Sequence, residues 1–99
     1  MAAFQVTSSE LKAKAGELRE LNGQFKTQVG NLETQESSLV NMWEGEARNA
    51  FDKAFKNDKT QMDSFYNLIE QYCGALENIA AKYDQAESQN VSTATNRSY

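Results

Sequence analysis

The sequence contains no proline and no histidine, and it has a single cysteine among its 99 residues. The absence of proline removes the commonest helix breaker and argues against an architecture of short strands joined by turns. Without histidine, the chain lacks the side chain that most often serves as general base or metal ligand near neutral pH. Cys73 cannot form an intramolecular disulfide, so it is either a free thiol in a helix or a link between two chains.

Long apolar runs are also missing, and no stretch of the chain is long and apolar enough to span a bilayer. The apolar share of 39% is lower than that of most self-sufficient globular domains. The first ten residues, MAAFQVTSSE, have neither the basic start nor the apolar core of a Sec signal peptide. A net charge of −4 with a pI near 4.8 argues against nucleic acid or an anionic membrane as the main partner. Composition alone therefore indicates a cytosolic protein of one small domain, or less than one if the chain needs a partner to complete its core.

Two amphipathic helices account for most of the chain. The first is predicted from about 7 to 42, because Thr7 and Glu10 have the spacing of a capping box at its start. Asn22-Gly23 is a hairpin signal only between strands, and neither of its flanks alternates as a strand does. Apolar residues recur every seven positions, the period that packs helices side by side: Leu11, Leu18, Phe25, Leu32 and Leu39, flanked by Ala15, Val29 and Trp43.

The second helix is predicted from about 46 to 87. It carries two rows of the same period: Phe55, Met62, Ile69, Leu76 and Tyr83, and beside them Phe51, Phe65, Tyr72, Ile79 and Ala86. The segment 88–99 is rich in Ser, Thr and Asn, and such a composition favours a flexible tail because it buries too little to offset the entropy of ordering. Residues 1–6 are predicted to form a short N-terminal extension.

The short connection at 43–46 requires the two helices to fold back on each other as an antiparallel hairpin. Apolar stripes this wide exceed what one hairpin can cover, and they suit a four-helix arrangement instead. The predicted fold is therefore all-α: a two-helix hairpin that dimerises into a four-helix bundle, with itself as first choice or with a similar protein. The residues expected to pack the core and the dimer are Leu11, Leu18, Phe25, Leu32, Leu39, Phe51, Phe55, Phe65, Ile69, Leu76 and Ile79.

The only tryptophan lies in the predicted turn, in the segment Trp43-Glu44-Gly45. Trp43 ends the apolar row of the first helix, so its ring is expected to cover the end of the bundle core. Gly45 supplies the backbone freedom that a chain reversal needs, and a valine there would strain a turn with positive φ. A packed turn alone would also explain these residues.

These features together resemble the WXG family of small type VII secretion proteins, relatives of the early secreted antigen of mycobacteria. The resemblance covers about 5–87 and depends on the length, the missing proline, and Trp43 and Gly45 at the midpoint between two helices. The family also carries Tyr-x-x-x-Asp/Glu at the end of the second helix, and YDQAE places Tyr83 and Glu87 at that spacing. Residues four apart share a helical face, so a partner could recognise both; otherwise Tyr83 is the last core residue and Glu87 a solvated acid.

The resemblance implies export from a bacterial cell as a folded dimer, without a cleavable signal peptide. The implied partners are the chain itself or a related WXG protein, the type VII secretion ATPase and, for an escort, a larger secreted toxin. The implied role is that of a secreted effector or an escort, with no cofactor, metal, nucleic acid or small-molecule substrate. Catalysis is disfavoured because Cys73 has no histidine to activate it.

The main rival hypothesis is an intracellular coiled-coil adaptor, which needs the heptads but none of the WXG-family residues. Membrane disruption by the helices is a weaker rival, since few basic residues accompany their apolar stripes.

Overall fold

The computed structural model describes residues 6–96, with side chains described through residue 86. This part of the chain forms two helices, α1 (Ser8–Asn41) and α2 (Glu46–Asn96), folded back on each other as an antiparallel hairpin. The molecule is a rod with extents of 84 × 22 × 16 Å. The predicted all-α hairpin is confirmed, while its dimerisation stays a prediction.

The start of α1 is fixed by the capping box that the sequence predicts. Thr7 is the N-cap in an extended conformation, its hydroxyl accepts a hydrogen bond from the Glu10 amide at 3.0 Å, and the Glu10 carboxylate accepts one from the Thr7 amide. Both bonds satisfy N–H groups that a helix start leaves unpaired. The helix then runs without interruption through Asn22-Gly23, as predicted, and ends at Asn41, one residue before the predicted boundary.

The turn between the helices depends on Gly45, which has a φ of +115°. Side chains with a Cβ rarely adopt that backbone conformation, so the predicted need for glycine at this position is confirmed. Arg48, in the first turn of α2, donates from Nε to the carbonyl of Val40 at 2.5 Å. That carbonyl lies in the last turn of α1, where it also accepts from the Trp43 amide at 3.4 Å, and the added bond from Arg48 ties the two helix ends together.

The end of α2 differs from its predicted position. The helix continues past Glu87 to Asn96, so the predicted end of the second helix near 87 is wrong, while the flexibility of this segment stays a prediction. Neither proline nor glycine occurs in this segment. Extending an existing helix fixes one residue for each new hydrogen bond, and Ser, Thr and Asn cost less than about 1 kcal/mol each relative to alanine. Residues 97–99 of that tail, and residues 1–5 of the N-terminal extension, lie outside the described residues.

The fully buried positions of the seam between the helices are mostly small or polar residues, and five of the predicted core residues are half-buried: Leu11, Phe25, Phe55, Ile69 and Leu76. On α1 the buried positions from Ser8 to Glu36 repeat every seven residues. On α2 the two buried residues lie in the C-terminal half of the helix. None of the residues predicted to pack the core is fully buried in the hairpin, because small side chains let the helix axes approach while the longer ones extend to the flank. The buried residues are Ser8, Ala15, Asn22, Val29, Glu36 and Val40 on α1, and Cys73 and Ala80 on α2.

Polar contacts across the seam fix the register of the two helices. The Asn22 side-chain amide donates to the carbonyl oxygen of Tyr66 and to the Glu70 carboxylate, both at 2.9 Å. Arg19 forms ion pairs with Glu70 at 3.4 Å and with Glu77 at 2.8 Å. Such directional contacts are satisfied in only one alignment, so they specify which residues of α1 face which residues of α2.

Candidate functional site

The Trp43 side chain is half-buried at the closed end of the hairpin. Its ring lies against Phe51, with the ring centroids 5.6 Å apart and the planes tilted by 52°. The turn residue Gly45 and the first residues of α2 surround a shallow cleft beside it. Trp43 therefore packs on α2 at the closed end of the hairpin with part of its ring exposed, and its role in covering the end of a bundle core stays a prediction.

The second candidate motif lies at the opposite, open end of the hairpin. Tyr83 is 44% exposed, and the next residue, Asp84, is bound by α1. The Ser8 hydroxyl donates to the Asp84 carboxylate, and the Lys12 ammonium lies 2.7 Å from it. The contact with Lys12, and to a smaller extent the contact with Ser8, holds the pKa of Asp84 below its usual range. Glu87 follows one helical turn later, and its side chain is outside the described part of the structure.

One hairpin does not bring the two motifs together. Between the turn and Tyr83, α2 rises by about 55 Å at the α-helical rise per residue. A receptor that contacts both motifs therefore either spans most of the rod or meets them on two different chains.

Many large apolar side chains remain exposed on both helices. We call the set given below the apolar face; one member, Phe65, packs edge-to-face on Phe25 with centroids 5.6 Å apart. The chain exposes 7791 Å² in all, against roughly 5,700 Å² for a compact monomer of this mass. The apolar face consists of Leu18, Leu21, Leu32, Leu39, Phe51, Phe65, Leu68, Tyr72 and Ile79, each more than a third exposed.

A buried carboxyl group near the closed end was not predicted from the sequence. Glu36 is only 7% exposed, and its Oε1 atom has no hydrogen-bond partner among the described residues. A hydrogen bond to Asp52, which only the protonated acid can donate, raises the pKa of Glu36, and burial and the Asp52 charge add to that effect. Ala15, Val29 and Glu36 belong to one series with a seven-residue period, and this period was the signal that could have placed Glu36 in the seam.

The partners of Asp52 explain why its own charge is retained. Lys56, one turn later on α2, lies 2.8 Å from the Asp52 carboxylate. That contact is the main cause that lowers the pKa of Asp52, and the hydrogen bond from Glu36 adds to it. Their interaction therefore shifts the two pKa values in opposite directions, upwards for Glu36 and downwards for Asp52.

We expect Glu36→Gln to raise the melting temperature at pH 7. A glutamine amide donates to Asp52 as the protonated acid does, without placing a second negative charge in the seam. Because the folded-state pKa of Glu36 is raised, the wild-type chain gains stability from this group as pH falls through that value. The difference between variant and wild type should therefore shrink towards acid pH.

The measurement is thermal unfolding followed by circular dichroism between neutral and acid pH. Glu20→Gln, at an exposed position of α1, is the matched control and should leave the melting temperature nearly unchanged. A lower melting temperature for Glu36→Gln at pH 7 would contradict the interpretation.

No group of His, Cys, Asp or Glu side chains in the described residues is arranged to hold a metal ion. Within the same residues, neither helix has a stretch apolar and long enough to cross a membrane. Cys73 is a free thiol that is completely buried in the seam. In this hairpin its sulfur is therefore not accessible for a link to a second chain.

The family model for proteins of 100 residues with a WXG motif, WXG100, matches residues 3–88. The chain belongs to the WXG100 family. Members of this family are small helical proteins that generally pair with themselves or with related members. The matched region contains both helices through the end of the candidate signal, with Trp43 and Gly45 in the turn that joins them.

The hairpin is also similar to crystal structures of the secreted protein EsxB from Bacillus anthracis strain Sterne. The wild-type EsxB structure is 29% identical, with a TM-score of 0.74 over 84% of this chain and 89% of EsxB. Its selenomethionine-labelled form is 28% identical, with a TM-score of 0.77 over 88% of this chain and 99% of that one. No curated protein matches the chain.

Proposed function

We propose that this WXG100 protein is a non-enzymatic substrate of a bacterial type VII secretion system, exported as a folded homodimer. The observation that carries the proposal is the position of Trp43 and Gly45 in the single inter-helix turn of a chain that the family model matches over 3–88. The likeness to EsxB, a secreted protein, supports export as the destination.

In this proposal, Trp43 and Gly45 form the turn motif, and Tyr83 and Glu87 form the secretion signal. Two properties support these assignments. The Trp43 ring is half-buried, so part of it is open to a partner, and Tyr83 is 44% exposed at the other end of the hairpin. An aromatic ring with one open face is the kind of side chain that most often dominates binding energy at protein interfaces.

The apolar face supports the dimer. Isolated soluble monomers rarely expose contiguous apolar patches of this extent, and an amphipathic helix pair gains most by placing such a face against a second one. We favour a second copy as the partner. Because α1 and α2 both contribute large residues to the apolar face, ridges of side chains on one copy can pack into the grooves of the other. A related WXG protein is the alternative occupant of the same face.

Further partners follow from the proposed export route. The secretion ATPase would recognise the signal, and a larger secreted toxin is a candidate cargo if the dimer acts as an escort rather than as an effector. No nucleic acid, small-molecule substrate, cofactor or metal enters this function.

The test is fractionation of the native bacterium into cells, cell surface and culture medium, with immunodetection of the chain and of a cytosolic marker. We expect the chain in the medium or at the surface, free of the marker, and dependent on the secretion ATPase gene. Retention of the chain in the cytosol, with the ATPase gene present and expressed, would instead support the coiled-coil adaptor.

A further inference from the structure

The open end of the hairpin contains a polar joint between α1 and α2. Ser8 and Lys12 of α1 both contact the carboxylate of Asp84, the residue that follows Tyr83 in the candidate signal. Ser8 is only 8% exposed and lies in the first helical turn, where unpaired N–H groups create a partial positive charge. A hydroxyl, an ammonium group and a helix N-terminus thus converge on one carboxylate.

Among the described side chains, this joint is the last polar attachment of α2 to α1. The helical part of α1 begins at Ser8, whereas α2 continues for twelve residues beyond Asp84 to Asn96, a length of about 18 Å. Residue 87 lies one turn past the joint, beyond the first residue of α1. Terminal segments open at low free energy, and the joint opposes opening of this end of the hairpin.

The joint also sets the direction in which the signal faces. Successive residues of an α-helix differ by about 100° around the axis, so holding Asp84 against α1 turns Tyr83 to the side. Tyr83 is 44% exposed beside Asp84, whose side chain contacts Ser8 and Lys12 while remaining 43% exposed.

We propose that Asp84 is a positioning residue of the secretion signal. Its attachment to Ser8 and Lys12 fixes the presentation of Tyr83, so the secretion machine accepts chains whose α1 is docked on α2. This inference rests on the proposed function, because it assigns a role within the proposed signal.

The chain provides a matched control for the first experiment. Glu77 lies seven residues before Asp84 and pairs with Arg19, seven residues after Lys12, at 2.8 Å, against 2.7 Å for the Lys12–Asp84 pair. Asp84→Asn and Glu77→Gln therefore each remove one carboxylate charge and weaken one inter-helix ion pair. We expect similar melting temperatures and intact dimers for both, with export of Asp84→Asn lower by about tenfold, the effect of losing one good contact, and export of Glu77→Gln unchanged. Equal export of the two variants would overturn the proposal.

A second experiment separates positioning from direct recognition of the carboxylate. Ser8→Ala combined with Lys12→Gln leaves Asp84 intact but removes both of its side-chain partners, and Arg19→Gln is the control. A positioning role predicts that the double variant loses export about as strongly as Asp84→Asn, because both variants open the same joint. Normal export of the double variant, with Asp84→Asn impaired, would mean that the machine contacts the carboxylate itself, and the positioning role would be wrong.

Tyr83→Ala is measured in parallel, so that a failure of the proposed signal can be distinguished from a failure of the positioning role of Asp84. If Tyr83→Ala is exported normally, the proposed signal is wrong. If Tyr83→Ala is retained in the cell while the double variant is exported normally, the signal stands and only the role of the joint is wrong.

Discussion

Leu32→Asp should convert the dimer into a monomer while leaving each hairpin folded. In the single hairpin Leu32 is 51% exposed, so its loss removes little of the contact between α1 and α2. In a dimer packed through the apolar face, the new carboxylate would be buried without a partner at each copy. Burying an unpaired charge costs on the order of several kcal/mol, which corresponds to a loss of dimer affinity of at least about a hundredfold.

Size-exclusion chromatography with light scattering measures this result. The wild-type protein should have roughly twice the chain mass of 11.1 kDa, and Leu32→Asp should have the mass of one chain with an unchanged helical circular-dichroism spectrum. Asn31→Asp is the matched control, since Asn31 is exposed and its side chain bonds only to Gln28 on its own helix.

Two outcomes would contradict the dimer argument in different ways. A Leu32→Asp protein that dimerises with wild-type affinity would show that the apolar face is not the interface. A wild-type protein that is a stable, folded monomer at micromolar concentration would show that no dimer is needed to cover that face.

The heptad spacing predicted the helices because hydrophobic period and helix period coincide in this chain, and capping at Thr7 identified the start of α1 to within one residue. The seam was harder to predict. Its α1 side includes Ser8, Asn22 and Glu36, residue types that are usually placed at the surface on hydropathy alone. Ser8 and Asn22 are buried here because close helix approach selects small side chains and because polar partners on α2 satisfy them.

Part of the candidate site could also be predicted from the sequence. Trp43 and Gly45 stand out in the sequence since a large ring followed by a glycine between two apolar rows suits a chain reversal. The attachment of Asp84 to Lys12 was not predictable, because it joins residues far apart in the chain and depends on the helix register. The end of α2 was missed because Ser, Thr and Asn have only weakly lower helix propensity, and no proline or glycine stops the helix before Asn96.

Two inactive chains should restore export when they are produced together, one carrying Trp43→Ala and the other Tyr83→Ala. The prediction follows from the distance of about 55 Å between the turn and Tyr83 within one hairpin. If two hairpins pack antiparallel through the apolar face, the turn of one lies beside the open end of the other. Each end of the dimer then presents Trp43 and Gly45 from one protomer near Tyr83 and Glu87 from its partner.

Produced alone, each variant should be retained in the cell as a dimer, since both of its composite ends lack one motif. We expect secretion to fall by about tenfold or more, because aromatic anchors of this kind commonly contribute more than 1.4 kcal/mol to recognition. Glu87→Ala should behave like Tyr83→Ala, whereas Glu87→Asp keeps the carboxylate and should be tolerated. Removal of 91–99 should matter less than either motif variant.

In the co-expression experiment, a mixed dimer has one end with both motifs damaged and one end with both intact. The two chains carry different affinity tags, so that mixed dimers can be isolated from the cells and counted in the medium. Mixed dimers should be exported, and dimers of either variant with itself should remain inside. The alternative is that the machine recognises both motifs on the same chain. Every chain of the mixed dimer then lacks one motif, and no rescue is expected. Mixed dimers that form normally in the cell but stay there would therefore reject the composite signal in favour of motifs recognised separately.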